Sequence, residues 1–321
     1  KGWMGILFAV LMIITFGFAY NSVQSNTICL AWQKAFGIEP ATMGIVLTAL
    51  TLLIIFGGIQ RVAKFSSTVV PVMAVVYLLI AVGVVVWNIA SLPKVLLAIV
   101  ENAFGFNQAA GGVLGVTVIQ GIKRGLFSNE AGEGSAPNAA AVATVSHPVK
   151  QGLIQALGVF TDTLVVCSCT AFIILVSGVD VTASNGIQLT QDALTHEIGS
   201  IGNPFVAVMI WLFAFSSIIG NYYYGETNVR YIRDSKLGVF IYRLAVAAMV
   251  MVGAVVSLDF AWSFADITMA LLTLCNLVAI VLLSRQAVFL LQDYRQQKKK
   301  GKNPVFSKDK MPEIADKLEA W

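Results

Sequence analysis

The sequence predicts an all-α polytopic membrane protein with about eight transmembrane helices, one of them broken. Three observations carry that reading. Charged residues make up 12% of the 321 in the chain, half the roughly 25% of a soluble domain. Apolar stretches recur along the whole chain, each near the ~20 residues needed to cross a bilayer. One of them is interrupted by GIKRGLFSNEAGEGSAPN, Gly121 to Asn138. That span puts two acids, two bases and four glycines where charge is costly and open backbone needs protein or water around it.

The first crossing runs from Trp3 to about Cys29, the second from Met43 to Gln60 and the third from Ser67 to Trp87. The fourth, the broken one, covers about Ala109 to Thr144. The fifth spans about Gly152 to Ser177, the sixth Pro204 to Tyr224, the seventh Gly238 to Ser257 and the eighth Trp262 to Ser284. Between the third and fourth, Pro93 suits a first helical turn, and Leu96, Leu97, Val100 and Phe104 repeat at helical spacing. This predicts an amphipathic helix on the outer surface, a connector or an outer lid. QLTQDALTHEIG, within Asp180 to Gly202, predicts a second short surface helix.

Lysine and arginine set the orientation. Arg61 and Lys64, then Lys150, then Arg230, Arg233 and Lys236 fall in alternate loops, and Arg285, Arg295, Lys298, Lys299, Lys300 and Lys302 come after the last crossing. The intervening loops hold only Lys34 and Lys94. With eight crossings, both ends and every basic loop lie on one side, the cytoplasm. Residues 1–284 then form the transmembrane part and residues 285–321 a cytoplasmic tail, whose KKKGK anchors topology beside membrane lipid and whose final stretch from Phe306 reads as polar and mobile. Lys1-Gly2 leads straight into an apolar helix, without an initiator Met or a cleavage site, which reads as a chain that begins partway through a larger protein.

Several function classes are disfavoured. No basic face interleaves with aromatics, so nucleic acid is not an expected partner. Gly132-x-Gly134 is followed by Ser-Ala-Pro, which breaks the dinucleotide spacing, and HExxH is absent. The four cysteines, Cys29, Cys167, Cys169 and Cys275, lack metal spacing and read as small buried hydrophobes. No cofactor is implied.

The interrupted span carries the chemistry. A first half-helix from about Ala110 to Arg124 would end near Gly125, with Lys123 and Arg124 compensating its negative pole and Glu130 or Glu133 as ion partners. Arg124 is also a gate candidate. Unwound carbonyls around Phe127 to Ala131, with Ser128 and Asn129, would take a cation or a substrate ammonium group. A second half-helix from Pro137 would offer N–H groups to an anion. Phe127 borders the break as core or as substrate contact. Two further polar patches lie within crossings. Gln24 falls four residues after Tyr20, and Ser217 shares a face with Asn221 beside Ser216. Either serine can instead bond back to its own helix. Asp162 and Asp266 are further intramembrane acids, each a candidate ion-pair member.

RGLFSNEAGEGSAPN resembles the signature of the alanine or glycine:cation symporters, FAFSSIIGNYYYGE resembles their later motif, and AFGFNQAAGG fits the segment before the signature. The resemblance covers nearly the whole chain. It implies a sodium-coupled symporter for alanine or glycine in a bacterial inner membrane, with a leucine-transporter-like inverted-repeat fold. It implies substrate contacts at Gln24, Phe127, Ser128, Gly132, Ser217 and Asn221, with Asn129 beside them. It assigns Ser216 and Ser217 to sodium; Glu130, in the break itself, is a further candidate for ion binding or coupling. Family members carry further helices before this chain's first residue, including the partner of the broken span. Asn221 stands where many members have tryptophan, which bears on side-chain size selectivity. Rival readings are a proton-coupled symporter, a non-transporting amino-acid sensor using the same pocket, and an intramembrane enzyme using Glu130 or Asp162.

Overall fold

A computed structural model describes residues 2–57, 59–103, 111–313, 315 and 318, and its regular structure is helical. Helix α1, Gly2–Phe36, switches to π geometry over Thr15–Tyr20. Helix α2 is Pro40–Ile55, with proline in its first turn, and α3 is Ile59–Trp87, with Pro71 inside it. Helix α4, Leu92–Ala103, follows a short 3-10 turn. Helix α5, Gly111–Asn129, and α6, Ala136–Ala140, flank the break. Helix α7, Pro148–Ser177, holds a second π turn at Asp162–Cys167. Helix α8 is Ile187–Ile198, α9 is Gly202–Ile232 and α10 is Lys236–Val255. Helix α11, Leu258–Lys299, is 42 residues long.

Among the described residues, five helical stretches are long and apolar enough to cross a membrane: α1, α7, α8 running into α9, α10 and α11. A sixth arises if a bent pair counts as one span, Pro71–Trp87 with Ile89–Ala103, bent by 69°. Eight crossings are expected from the sequence, so two or three of them do not meet this criterion among the described residues. The second expected crossing is a 16-residue helix, α2, and the broken fourth crossing does not qualify by length and apolarity. The bent pair instead joins the third expected crossing to the amphipathic helix. Phe104 to Ala110, and with them most of AFGFNQAAGG, lie outside the described residues.

The core forms where α1, α2, α9 and α10 meet, through Ile28, Leu47, Ile55, Phe215, Ile218, Ile219 and Val250. Polar groups tie the same helices. Ser25 Oγ donates to the Val250 carbonyl at 2.6 Å, and Asn26 Nδ2 to those of Gly253 and Val256 at 3.1 and 2.7 Å. Such bonds serve a membrane bundle because lipid supplies no competing partner. A Cβ on Gly253 would lie 2.5 Å from the Ser22 Cα, so this crossing requires glycine. A second cluster packs Met12, Phe16, Ala19 and Tyr20 of α1 against Ala261, Ala265, Met269 and Leu272 of α11, with Leu126 and Phe127 at its edge.

Two surface expectations change. Helix α8 buries Thr190, Gln191, Ala193 and Leu194 against α1 and α9, so it is a packed element rather than a surface helix. The tail after α11 is docked where the sequence predicts mobility. Phe306 is buried, its N–H donates to the Ser146 carbonyl at 2.9 Å, and Gln297 brackets Val305 with paired bonds. His147, fully buried at the start of α7, lies 3.2 Å from Asp293, which also takes Lys310 at 2.8 Å. A continuous apolar pattern hides α11's length, about 63 Å at 1.5 Å per residue, twice a ~30 Å hydrocarbon core. One crossing therefore takes only part of α11, and Asp293 stands in its polar last two turns, DYRQQKK.

Candidate functional site

The break is real but shifted. Helix α5 runs on through Gly125 to Asn129, and the chain unwinds over residues 130–135 rather than from Phe127. Glycine explains where. Glu130, Gly132 and Gly134 have φ of 50°, 80° and 81°, the left-handed region that glycine enters freely, whereas Gly121 and Gly125 remain helical. Asn276 Nδ2 donates to the Gly132 carbonyl at 2.8 Å, and Asn138 Nδ2 to the Gly134 carbonyl at 3.1 Å. Asn228 in turn donates to Asn138 Oδ1 at 3.1 Å. Side-chain amides from α6 and α11 thus replace helical bonds that the loop gives up, and Asn228 of α9 holds the α6 amide in place. Helix α6 has only five residues, too few to present the full positive pole expected for an anion.

Both π turns face this break. Tyr20 closes the first, and its hydroxyl donates to Glu133 Oε1 at 2.8 Å. Asp162 opens the second, and its Oδ2 accepts from Ser128 Oγ at 2.5 Å, while Thr163 Oγ1 donates to Asn129 Oδ1 at 2.9 Å. A π turn widens a helix locally and often marks function. Cys167, in the second π turn, is exposed and 3.4 Å from Ser128 Oγ, so the reading of all four cysteines as buried hydrophobes fails there. Cys29 is buried as expected.

A cavity of about 300 Å³ opens between α1, the end of α5 and α9. Gln24, Phe127, Ser128, Glu130, Ser217 and Asn221 line it, joined by Tyr20, Gly220 and Tyr224. Asn221 Nδ2 donates to Asn21 Oδ1 at 3.2 Å, and Asn21 Nδ2 to the Gly17 carbonyl at 3.0 Å, so a buried amide chain fixes its orientation. Phe127 packs between Tyr20 and Trp262, with ring centroids 4.6 and 4.8 Å away. Glu130 Oε2 accepts from Ser135 Oγ at 2.5 Å. Asn129, Gly132 and Ser216 stand beside the cavity rather than in its wall. Ser216 and Ser217 both bond back to the Phe213 carbonyl, at 2.7 and 3.1 Å. Each hydroxyl keeps its acceptor lone pairs.

Arg124 and Lys123 take a different partner from the one the sequence suggests. Asp266 of α11 receives them at 2.5 and 3.3 Å, not Glu130 or Glu133, and the Arg124 guanidinium lies 4.1 Å over Trp262. The ion pair adjoins the Tyr20–Phe127–Trp262 aromatic cluster at the cavity edge. Gly220 and Tyr224 were legible from Ser217 and Asn221, since 217, 220, 221 and 224 share one helical face. Nothing in the sequence pairs Tyr20 with Glu133 or Arg124 with Asp266, because those contacts join elements more than a hundred residues apart.

A helical, multi-pass membrane protein with a polar cavity at a helix break is the architecture of a secondary transporter. The chain belongs to the sodium:alanine symporter family, whose match covers residues 1–308. It is 54% identical over 310 residues to the probable sodium/glutamine symporter GlnT of Bacillus subtilis, covering 96% of this chain and 65% of that protein. To the amino-acid carrier protein AlsT of the same organism it is 50% identical over 319 residues, covering 99% and 68%. To the sodium/alanine symporter AgcS of Methanococcus maripaludis it is 35% identical over 289 residues, covering 88% and 62%. The chain thus spans about two thirds of the length of these curated relatives. The family is one of transporters, which removes the intramembrane enzyme as a rival.

Proposed function

We propose that the protein carries a small neutral amino acid into the cell together with sodium, by alternating access. The observation that carries this reading is the cavity. Six residues singled out by sequence, from α1, the end of α5, the break and α9, line it together. Its volume of about 300 Å³ lies at the lower end for small-molecule pockets.

The last carbonyls of α5 and the carboxylate of Glu130 favour a substrate ammonium group or a cation. Gln24, Ser128, Ser217 and Asn221 supply neutral hydrogen-bonding groups for a zwitterion, and Phe127 covers its side chain. Asn129 and Gly132 hold the break in register through Thr163 and Asn276. Ser216 and Ser217 offer hydroxyl oxygens to sodium, with Glu130 as the coupling charge. Arg124, released from Asp266, acts as a gate. Sodium stabilises an outward-open form, the amino acid closes the outer side, and rocking releases both to the cytoplasm. The frame for this cycle is a leucine-transporter-like inverted repeat, with residues 1–284 in the membrane, both ends of that part on the cytoplasmic side, and residues 285–321 as a cytoplasmic tail.

Alanine and glycine are the first candidates. A second reading, a larger amide such as glutamine, is favoured by Asn221 in the cavity wall and by the similarity to a probable sodium/glutamine symporter. Uptake of labelled alanine and glutamine into vesicles holding the whole protein tests both. Accumulation under an inward sodium gradient is expected. Uptake indifferent to that gradient would refute sodium coupling, and equilibrium binding without uptake would make the protein a sensor.

A further inference from the structure

The transport cycle described above does not use Glu133. Its side chain is wholly buried, beside the cavity but not in its wall. Oε1 accepts one hydrogen bond, from the Tyr20 hydroxyl at 2.8 Å, and Oε2 is buried without a partner. The charged and titratable groups around it offer no compensation. On its own loop lies Glu130, from α1 comes Tyr20 and from α9 Tyr224, while Asp266 of α11 acts on Tyr20. The two bases of α5, Lys123 and Arg124, are both committed to Asp266. An ionised carboxylate so enclosed would be an uncompensated buried charge, whereas the neutral acid leaves only one hydroxyl hydrogen unpaired, a far smaller cost.

We propose that Glu133 is a proton-binding site, loaded in this conformation and emptied when Tyr20 leaves it. A proton suits the site better than a metal ion. A hard cation gathers several oxygen lone pairs, but the hydroxyl beside Glu133 points its hydrogen at the carboxylate, and Oε2 is buried outside the wall of the substrate cavity. Tyr20 supplies the coupling. It ends the π turn of α1, lines the substrate cavity and packs against Phe127, so a ligand that moves Tyr20 removes Glu133's one donor and opens the carboxyl to cavity water. The acid then gives its proton to that water and becomes a carboxylate. No other bond changes.

The inference rests on the transport reading only for what moves Tyr20; the loaded proton itself is independent of it. Infrared spectroscopy of the whole protein in vesicles at neutral pH, against Glu133→Gln, tests the loaded state. The protein should show a carbonyl band of a buried, protonated carboxyl that the variant lacks; identical bands in both would overturn the site. Saturating alanine or glutamine with sodium should then abolish the band, and a band unmoved by a substrate that calorimetry shows to bind would overturn the release. If neither ligand binds while the band is present, the transport reading fails and the proton site stands. Calorimetry in buffers of different ionisation enthalpy gives a second readout: about one proton released per substrate bound, and none in Glu133→Gln. Glu130→Gln should leave the Glu133 band in place; its loss there would assign the proton to Glu130 instead.

Discussion

Gly134→Ala tests where the span breaks. Gly134 has φ of 81°, which an L-residue adopts at a cost of roughly 1–2 kcal/mol. A Cβ there would lie 2.7 Å from both Cγ and Oδ1 of Asn276 and 2.9 Å from the Phe8 ring. Asn276 cannot yield freely, because its amide holds the Gly132 carbonyl. Losing that bond costs about 1 kcal/mol, and the displaced packing about 1–3 more. The sum is about 3–6 kcal/mol. Two neighbours calibrate it. Gly132→Ala meets only Thr273 at 3.4 Å and Leu277 at 3.9 Å, so it should lose the backbone contribution alone, about 1–2 kcal/mol. Gly125→Ala meets nothing within 4 Å and sits inside α5, so it should gain about 1 kcal/mol of helix propensity. The assay is the fraction of detergent-solubilised protein that survives a heating series as a monodisperse species. The order Gly134→Ala, Gly132→Ala, parent, Gly125→Ala is expected from least to most stable. A Gly125→Ala variant as damaged as Gly134→Ala would refute the placement of the break.

Other predictions address the surroundings. Asp266→Asn strands Lys123 and Arg124; with those bases more than a third exposed and the acid less so, about 1–3 kcal/mol should be lost in the same heating series, and uptake should fall. Asn221→Trp fills the cavity wall and should favour alanine over glutamine by at least about tenfold in competition uptake. The tail should detach in acid. Burial works against ionisation of Asp293, but bonds from Lys310, His147 and Gln297 outweigh it and hold the carboxyl below its ordinary range. Its folded value therefore lies below the unfolded one, so its contribution to docking is full above ~3.9 and is lost as pH falls through the folded value. A spin label at Ser307 should become mobile in that acid range, and at neutral pH already in Asp293→Asn.

The interrupted crossing was legible because its signals are chemical. Acids, bases and glycines in an apolar run contradict lipid wherever they fall. Its boundary was less legible, since Gly121, Gly125, Gly132 and Gly134 look alike until Asn276 and Asn138 select which pair turns left-handed. The cavity wall from α9 followed from helical spacing alone. The π turns left no trace, because one extra residue in a turn alters no composition and needs no proline. The Arg124–Asp266 pair, the Tyr20–Glu133 bond and the seat of Phe306 under His147 join distant segments, and local periodicity carries no information about them. The lengths of the crossings were less legible for a related reason. Apolar length was read from sequence runs, while α2 stops at 16 residues and α3 turns by 69° into α4.

The central claim is that the cavity between α1, the break and α9 receives the amino acid. Ser217→Cys, in protein whose four native cysteines are replaced, puts one thiol in that wall. The measurement is its alkylation rate by a small water-soluble reagent, with and without sodium plus alanine or glutamine. The account predicts labelling that slows when amino acid and sodium are present together. A rate unchanged by any of them, in protein that still takes up the amino acid, would place the substrate elsewhere.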